Sequence, residues 1–132
     1  MTSLVLALVN YFKEKNIVID GNSVKVSASF PIEKSEIPCI AISPGEATYK
    51  EISLKADSVL VKEKADVNVY AKSQKSRDCL TEQVENALIN PSALENEGFV
   101  FMHIIFKRTL DLPEYGIFRT VFVVEAFRYV LK

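Results

Sequence analysis

Apolar positions recur along the chain with two periods, and the change of period divides it into elements. Leu4, Leu8, Tyr11 and Phe12 fall on one helical face, with Val5 and Val9 widening it, and Thr2 or Ser3 stands where an N-cap is needed. This predicts a helix through Lys15 that packs on a sheet. Ile17-Val18-Ile19 and Val24-Lys25-Val26 flank Asp20-Gly21-Asn22-Ser23, a hairpin signal. Cys39-Ile40-Ala41-Ile42 reads as a buried strand, entered after Phe30-Pro31 and Ile37-Pro38 and stopped by Pro44-Gly45.

From Val59 to Ala71 the period is two. Val59, Val61, Ala65, Val67, Val69 and Ala71 share one face, while Lys62, Lys64, Asp66, Asn68 and Lys72 lie on the other, so a long strand with one wet face is expected. Between Glu46 and Ser58, Tyr49, Ile52 and Leu54 favour a strand and the interspersed Lys and Glu residues favour a solvated edge or loop. Ser73 or Ser76 can cap a second helix carrying Leu80, Val84, Ala87 and Leu88 on one face and ended by Asn90-Pro91. Phe99 to Lys107 and Ile117 to Leu131 read as an antiparallel pair joined by Asp111-Leu112-Pro113-Glu114-Tyr115-Gly116. On the last strand Phe118, Phe122, Val124, Ala126 and Val130 alternate with Arg119, Glu125, Phe127 and Tyr129, so both faces are partly covered. No repeat or linker interrupts the chain. The expectation is a single α+β domain over residues 1–132, a mostly antiparallel sheet with two helices packed on one face.

Composition narrows the function more than it defines it. The 132 residues are 48% hydrophobic and 25% charged, as in one soluble domain, and 16 basic against 17 acidic residues leave a net charge of -1. That balance gives no electrostatic reason to expect nucleic acid or an anionic membrane as partner. The apolar start lacks a preceding positive charge and a cleavage site, and no run approaches the ~18 to 20 residues that span a bilayer. A soluble protein made in the cytoplasm is expected. Cys39 and Cys79 are too few for a disulfide framework and read as small buried hydrophobes in a reducing compartment.

The search for chemistry is short. His103, in Phe101-Met102-His103-Ile104-Ile105, is the single histidine and reads as a structural or interface residue, since a general base needs a partner reaching across the sheet. Neither cysteine sits in a nucleophile motif, the His and Cys residues are too scattered for a zinc site, and four isolated glycines build no phosphate loop. Glu33 with Glu36 and Glu95 with Glu97 read as solvated surface. Lys62-Glu63-Lys64 and Lys72-Ser73-Gln74-Lys75-Ser76-Arg77 read as a solvated rim, and Phe127-Arg128-Tyr129 as sheet packing rather than a single-strand platform. No enzyme and no cofactor are expected.

The segments Ile37-Pro38-Cys39-Ile40-Ala41-Ile42, Val67 through Leu88, and Phe118-Arg119-Thr120-Val121-Phe122-Val123-Val124-Glu125-Ala126-Phe127, in this order behind an amphipathic helix, resemble the tail-terminator or tail-completion proteins of long-tailed bacteriophages and the related head-tail joining proteins. The resemblance covers most of the chain through hydrophobic patterns rather than chemical motifs. It implies a virion tail protein, assembled in the host cytoplasm, that works as a ring of copies of itself, often six. Such a ring caps the tail tube, stops its polymerisation, and meets tail tube and head-tail connector proteins. Head-to-tail contacts of this kind close at a fixed rotation. Candidate interface residues are Tyr49, Lys62, Lys64 and Tyr115, with aromatic residues as frequent anchors; for Tyr115 the other reading is cover for the sheet end. The alternative function is a non-catalytic small-ligand or peptide-binding module or regulatory subunit with a pocket between sheet and helices. A third reading is an enzyme with a degenerate site around His103.

Overall fold

The structure, a computed structural model, describes residues 3–31, 36–51, 58–89, 94 and 97–131; the side chains at 49–51, 58 and 130–131 lie outside that description. Helix α1 (Leu4–Lys15) begins where the cap pattern places it: Ser3 is extended, and its Oγ accepts from the Leu6 N–H at 3.2 Å. Leu4, Ala7, Leu8, Tyr11 and Phe12 are buried, and the Tyr11 hydroxyl donates to the Ala87 carbonyl at 2.7 Å, tying the two helices together. Asn16 ends α1 in the left-handed region.

The hairpin forms around Asp20 and Gly21, both at positive φ as a tight turn requires, but its arms are β1 (Val18–Ile19) and β2 (Asn22–Ser23). The expected second arm, Val24 to Val26, mostly belongs elsewhere. β3 (Lys25–Ser27) leaves the hairpin and pairs in parallel with Cys39–Ala41, the one parallel pair among the described strands. The five-stranded sheet has the order β3-β4-β5-β7-β6, and β4 (Cys39–Glu51), β5 (Ser58–Ala71), β7 (Phe118–Leu131) and β6 (Phe101–Thr109) pair with one another antiparallel. Helix α2 (Gln74–Ile89) is capped by Ser73, whose Oγ accepts from the Ser76 N–H at 3.1 Å. Both helices pack on one face of the sheet, and the fold is α+β. Thr2, Glu33, Ile52, Leu54, Asn90-Pro91 and Glu95 lie outside the described residues.

The core is the alternation of three central strands against two helical stripes. Ile40, Ile42, Ala65, Val67, Val69, Phe122 and Val124 meet Leu8, Phe12, Leu80, Val84 and Leu88, all buried. Pro44-Gly45 does not stop its strand as expected: β4 continues through a bulge, pairing Pro44 with Ala65 and resuming at Ala47 opposite Glu63. Pro44 is tolerated because β4 has no partner on its other side there, and Gly45 because a Cβ would come within 3.1 Å of the Lys64 backbone. The face expected to be wet is dry at one end, where Ile37, Cys39, Ala41 and Tyr70 form a second small cluster and Asn68 is buried.

Candidate subunit interface

The ladder arranges the outer side chains in rows across the sheet. Opposite residues share a face, so β7 Phe127 has Lys62 on one side and Phe101 on the other, and Glu125 has Lys64 and His103. This face looks away from both helices. Glu125 there accepts from His103 Nε2 at 3.1 Å and lies 3.9 Å from Lys62 Nζ. The His103 ring stands edge-on to Phe101 and Phe127, with centroids 5.1 and 6.2 Å apart. His103 thus bridges two strands as a surface residue with a carboxylate partner.

Of the four candidate residues, Lys62 and Lys64 share this helix-free face and are half-buried. Tyr115 is not near them. It sits in a single 3₁₀ turn (Pro113–Tyr115) beyond the β6–β7 hairpin, 58% exposed. Tyr49 lies on β4 opposite Val61, and its side chain is outside the described residues. The expected group is therefore spread along the sheet, with only the lysine pair brought together.

The sheet's outer edges are more distinctive than those four residues. β6 is the last strand of the order, and its outer side carries no pairing partner among the described residues. Yet it is apolar in sequence, with Phe101 53%, Phe106 48% and Ile105 41% exposed. Ile105 is the bulged residue, without a partner on β7 between Ile104 and Phe106. β4 is also open on one side among the described residues, because β3 pairs only with Cys39–Ala41 and not with Ile42–Glu51. The sequence offered a solvated edge between Glu46 and Ser58 as one reading, and β4 runs into that stretch, but the β6 edge was missed. The available signal was that Phe101-Met102-His103-Ile104-Ile105-Phe106 is apolar on consecutive positions, which in a terminal hairpin marks either a central strand or an edge covered in assembly.

Several charged residues read as solvated rim are structural. Glu63 turns to the helix face, accepts the Leu4 N–H at 3.0 Å as a long-range cap of α1, and bonds Arg128, whose guanidinium lies 4.9 Å from the Phe99 ring centroid. Arg77 is buried between Asp78 and Asp111, and its guanidinium holds the Asp111 carboxyl below the usual carboxylate range. On the other face Arg119 Nη2 donates to Asn68 Oδ1 at 2.6 Å, while Asn68 Nδ2 donates to the Ala41 carbonyl at 3.0 Å. Cys39 is buried as expected, and burial, reinforced by Glu36, pushes its thiol up to about 11. Cys79 is a correction: it is exposed, because Leu80, Val84 and Leu88 set the buried stripe of α2 and the preceding residue points away from it.

Beside the β1–β2 hairpin lies an open depression of about 420 Å³ with Asp20, Lys25, Glu36 and Lys72 among its lining residues. Among the described residues no cluster of three or more His, Cys, Asp or Glu is placed to hold a metal, and no helix is long and apolar enough to cross a membrane. No protein-family model matches the chain, and no curated protein matches it.

Proposed function

We propose that this protein is a non-catalytic assembly protein of the phage tail-terminator kind, working as a ring of copies of itself that caps a tail tube and joins it to the head. The observation that supports this most is the β6 edge. Nine residues, Phe101–Thr109, present an outer edge without a partner among the described residues, with exposed Phe101, Ile105 and Phe106. Solitary proteins protect such edges with charge, proline, bulges or a covering loop, since an apolar edge recruits another chain, and β6 has a single bulge, at Ile105. Here the charges Lys107 and Arg108 come only at its end. The pairing of His103 with Glu125 on an exposed surface, as a strand-to-strand bridge, fits an assembly role better than a base in a cleft.

The test is functional. Mixed with a polymerising tail tube protein, the chain is expected to give tubes of limited length bearing a ring at one end in electron micrographs. Tubes of unaltered length with bare ends overturn the proposal.

A further inference from the structure

We infer that the ring closes by strand addition, the outer edge of β6 in one copy pairing with the outer edge of β4, from Ile42 to Glu51, in the next. This rests on the assembly reading above and names its contact.

Direction is the first argument. β4, β5, β7 and β6 alternate through three antiparallel pairings, so the two outer strands of this four-stranded set run opposite to each other. A copy rotated about an axis along the strands therefore brings β6 against β4 antiparallel, extending the same ladder. The contact is heterologous, because β6 and β4 are different surfaces, and it repeats until it closes. An isologous β6-to-β6 contact leaves the β4 edge bare and stops at two copies.

Length and level are the second argument. Among the described residues β3 bounds the open stretch of β4 at Ala41, and Phe101 to Lys107 of β6 lie level with Thr48 to Ile42 of that stretch, while Arg108 and Thr109 lie level with Ala41 and Ile40. Following the rows across the sheet, Phe101 is level with Thr48, Met102 with Ala47, and Ile104 with Pro44. The row of His103, Glu125 and Lys64 ends on β4 at the bulge that holds Gly45 and Glu46. In an unstaggered repeat, the bulge of β4 in one copy meets the β6 edge of the next at His103, and Lys107 falls level with Ile42.

Two substitutions test the contact at the bulges, where the ladder inside the subunit is already interrupted and proline is best tolerated. Ile105→Pro blocks the β6 edge and Glu46→Pro the β4 edge. Each alone is expected to leave a monomer by light scattering, and a 1:1 mixture to give dimers only, joined through the two intact edges. Hydrogen exchange on the unaltered chain, above and below its assembly concentration, reads the same contact if a variant does not fold. Amides in both 101–109 and 42–51 are expected to slow by roughly tenfold or more on assembly. Protection of 101–109 alone, with Glu46→Pro still dimeric, overturns the contact in favour of a twofold dimer. Rings from both variants overturn it in favour of a face contact while the assembly reading stands. An unaltered chain that stays monomeric overturns both.

Discussion

Asn68 shows how a single polar residue is committed inside this sheet. It is almost fully buried, donating to Ala41 and accepting from Arg119, so Asn68→Ala leaves a guanidinium and a carbonyl without their partner. The expected cost is about 1–3 kcal/mol, read from the midpoint of urea unfolding with an unchanged slope. Asp111 gives a pH dependence of known sign. The hydrogen bond from Arg77 lowers its carboxyl in the folded state below the ordinary aspartate value, so the unfolded chain binds the proton first as pH falls. Its contribution is present above that value and is lost on acidification; in Asp111→Asn the acid limb of a stability-versus-pH curve flattens. The cysteines separate by access. In the native state at pH 8, iodoacetamide is expected to label exposed Cys79 promptly and to spare Cys39, whose buried thiol stays protonated to about 11. Mass spectrometry finding two labels per native chain contradicts this.

At the level of elements, the β4–β5 pair depends on Gly45. Its absent side chain lets the bulge close on Lys64, and Gly45→Ala forces the backbones apart, at an expected cost of about 1–3 kcal/mol in thermal unfolding. The same bulge marks the limit of what the sequence reveals. Helices were legible because Leu4, Leu8 and Phe12, or Leu80, Val84 and Leu88, repeat at the helical period beside serine caps. The long strand β5 was legible because its alternation is unbroken over most of its length. Pro44-Gly45 read as a stop because local chemistry cannot report that a strand lacks a neighbour on one side, the circumstance that makes a proline bulge tolerable. Lys25–Ser27 joins Cys39–Ala41 in parallel through a contact too distant for any local signal. The same holds for Glu63 and Arg77, whose partners Arg128 and Asp111 are 65 and 34 residues away.

On the scale of the whole molecule, helices occupy one side of the sheet, and the other side combines a small covered cluster around Tyr70 with the open rows of Lys62, Lys64, His103 and Phe127. Among the described residues the outer side of β6 and the stretch of β4 beyond Ala41 have no pairing partner, and these two edges differ from each other. Of the candidate interface, the lysine pair was legible as the wet half of an alternating strand and the charged stretch after Glu46 as a possible edge; the β6 edge was not, since edge position depends on strand order. A molecule with two unlike, antiparallel edges is suited to repeat head to tail, and the proposed ring follows from that property together with the apolar β6. The most direct measurement is the solution mass by light scattering across a range of concentrations, with micrographs of any large species. The account predicts a closed ring of fixed mass, a whole multiple of 14.8 kDa. A mass of one chain at every concentration contradicts it.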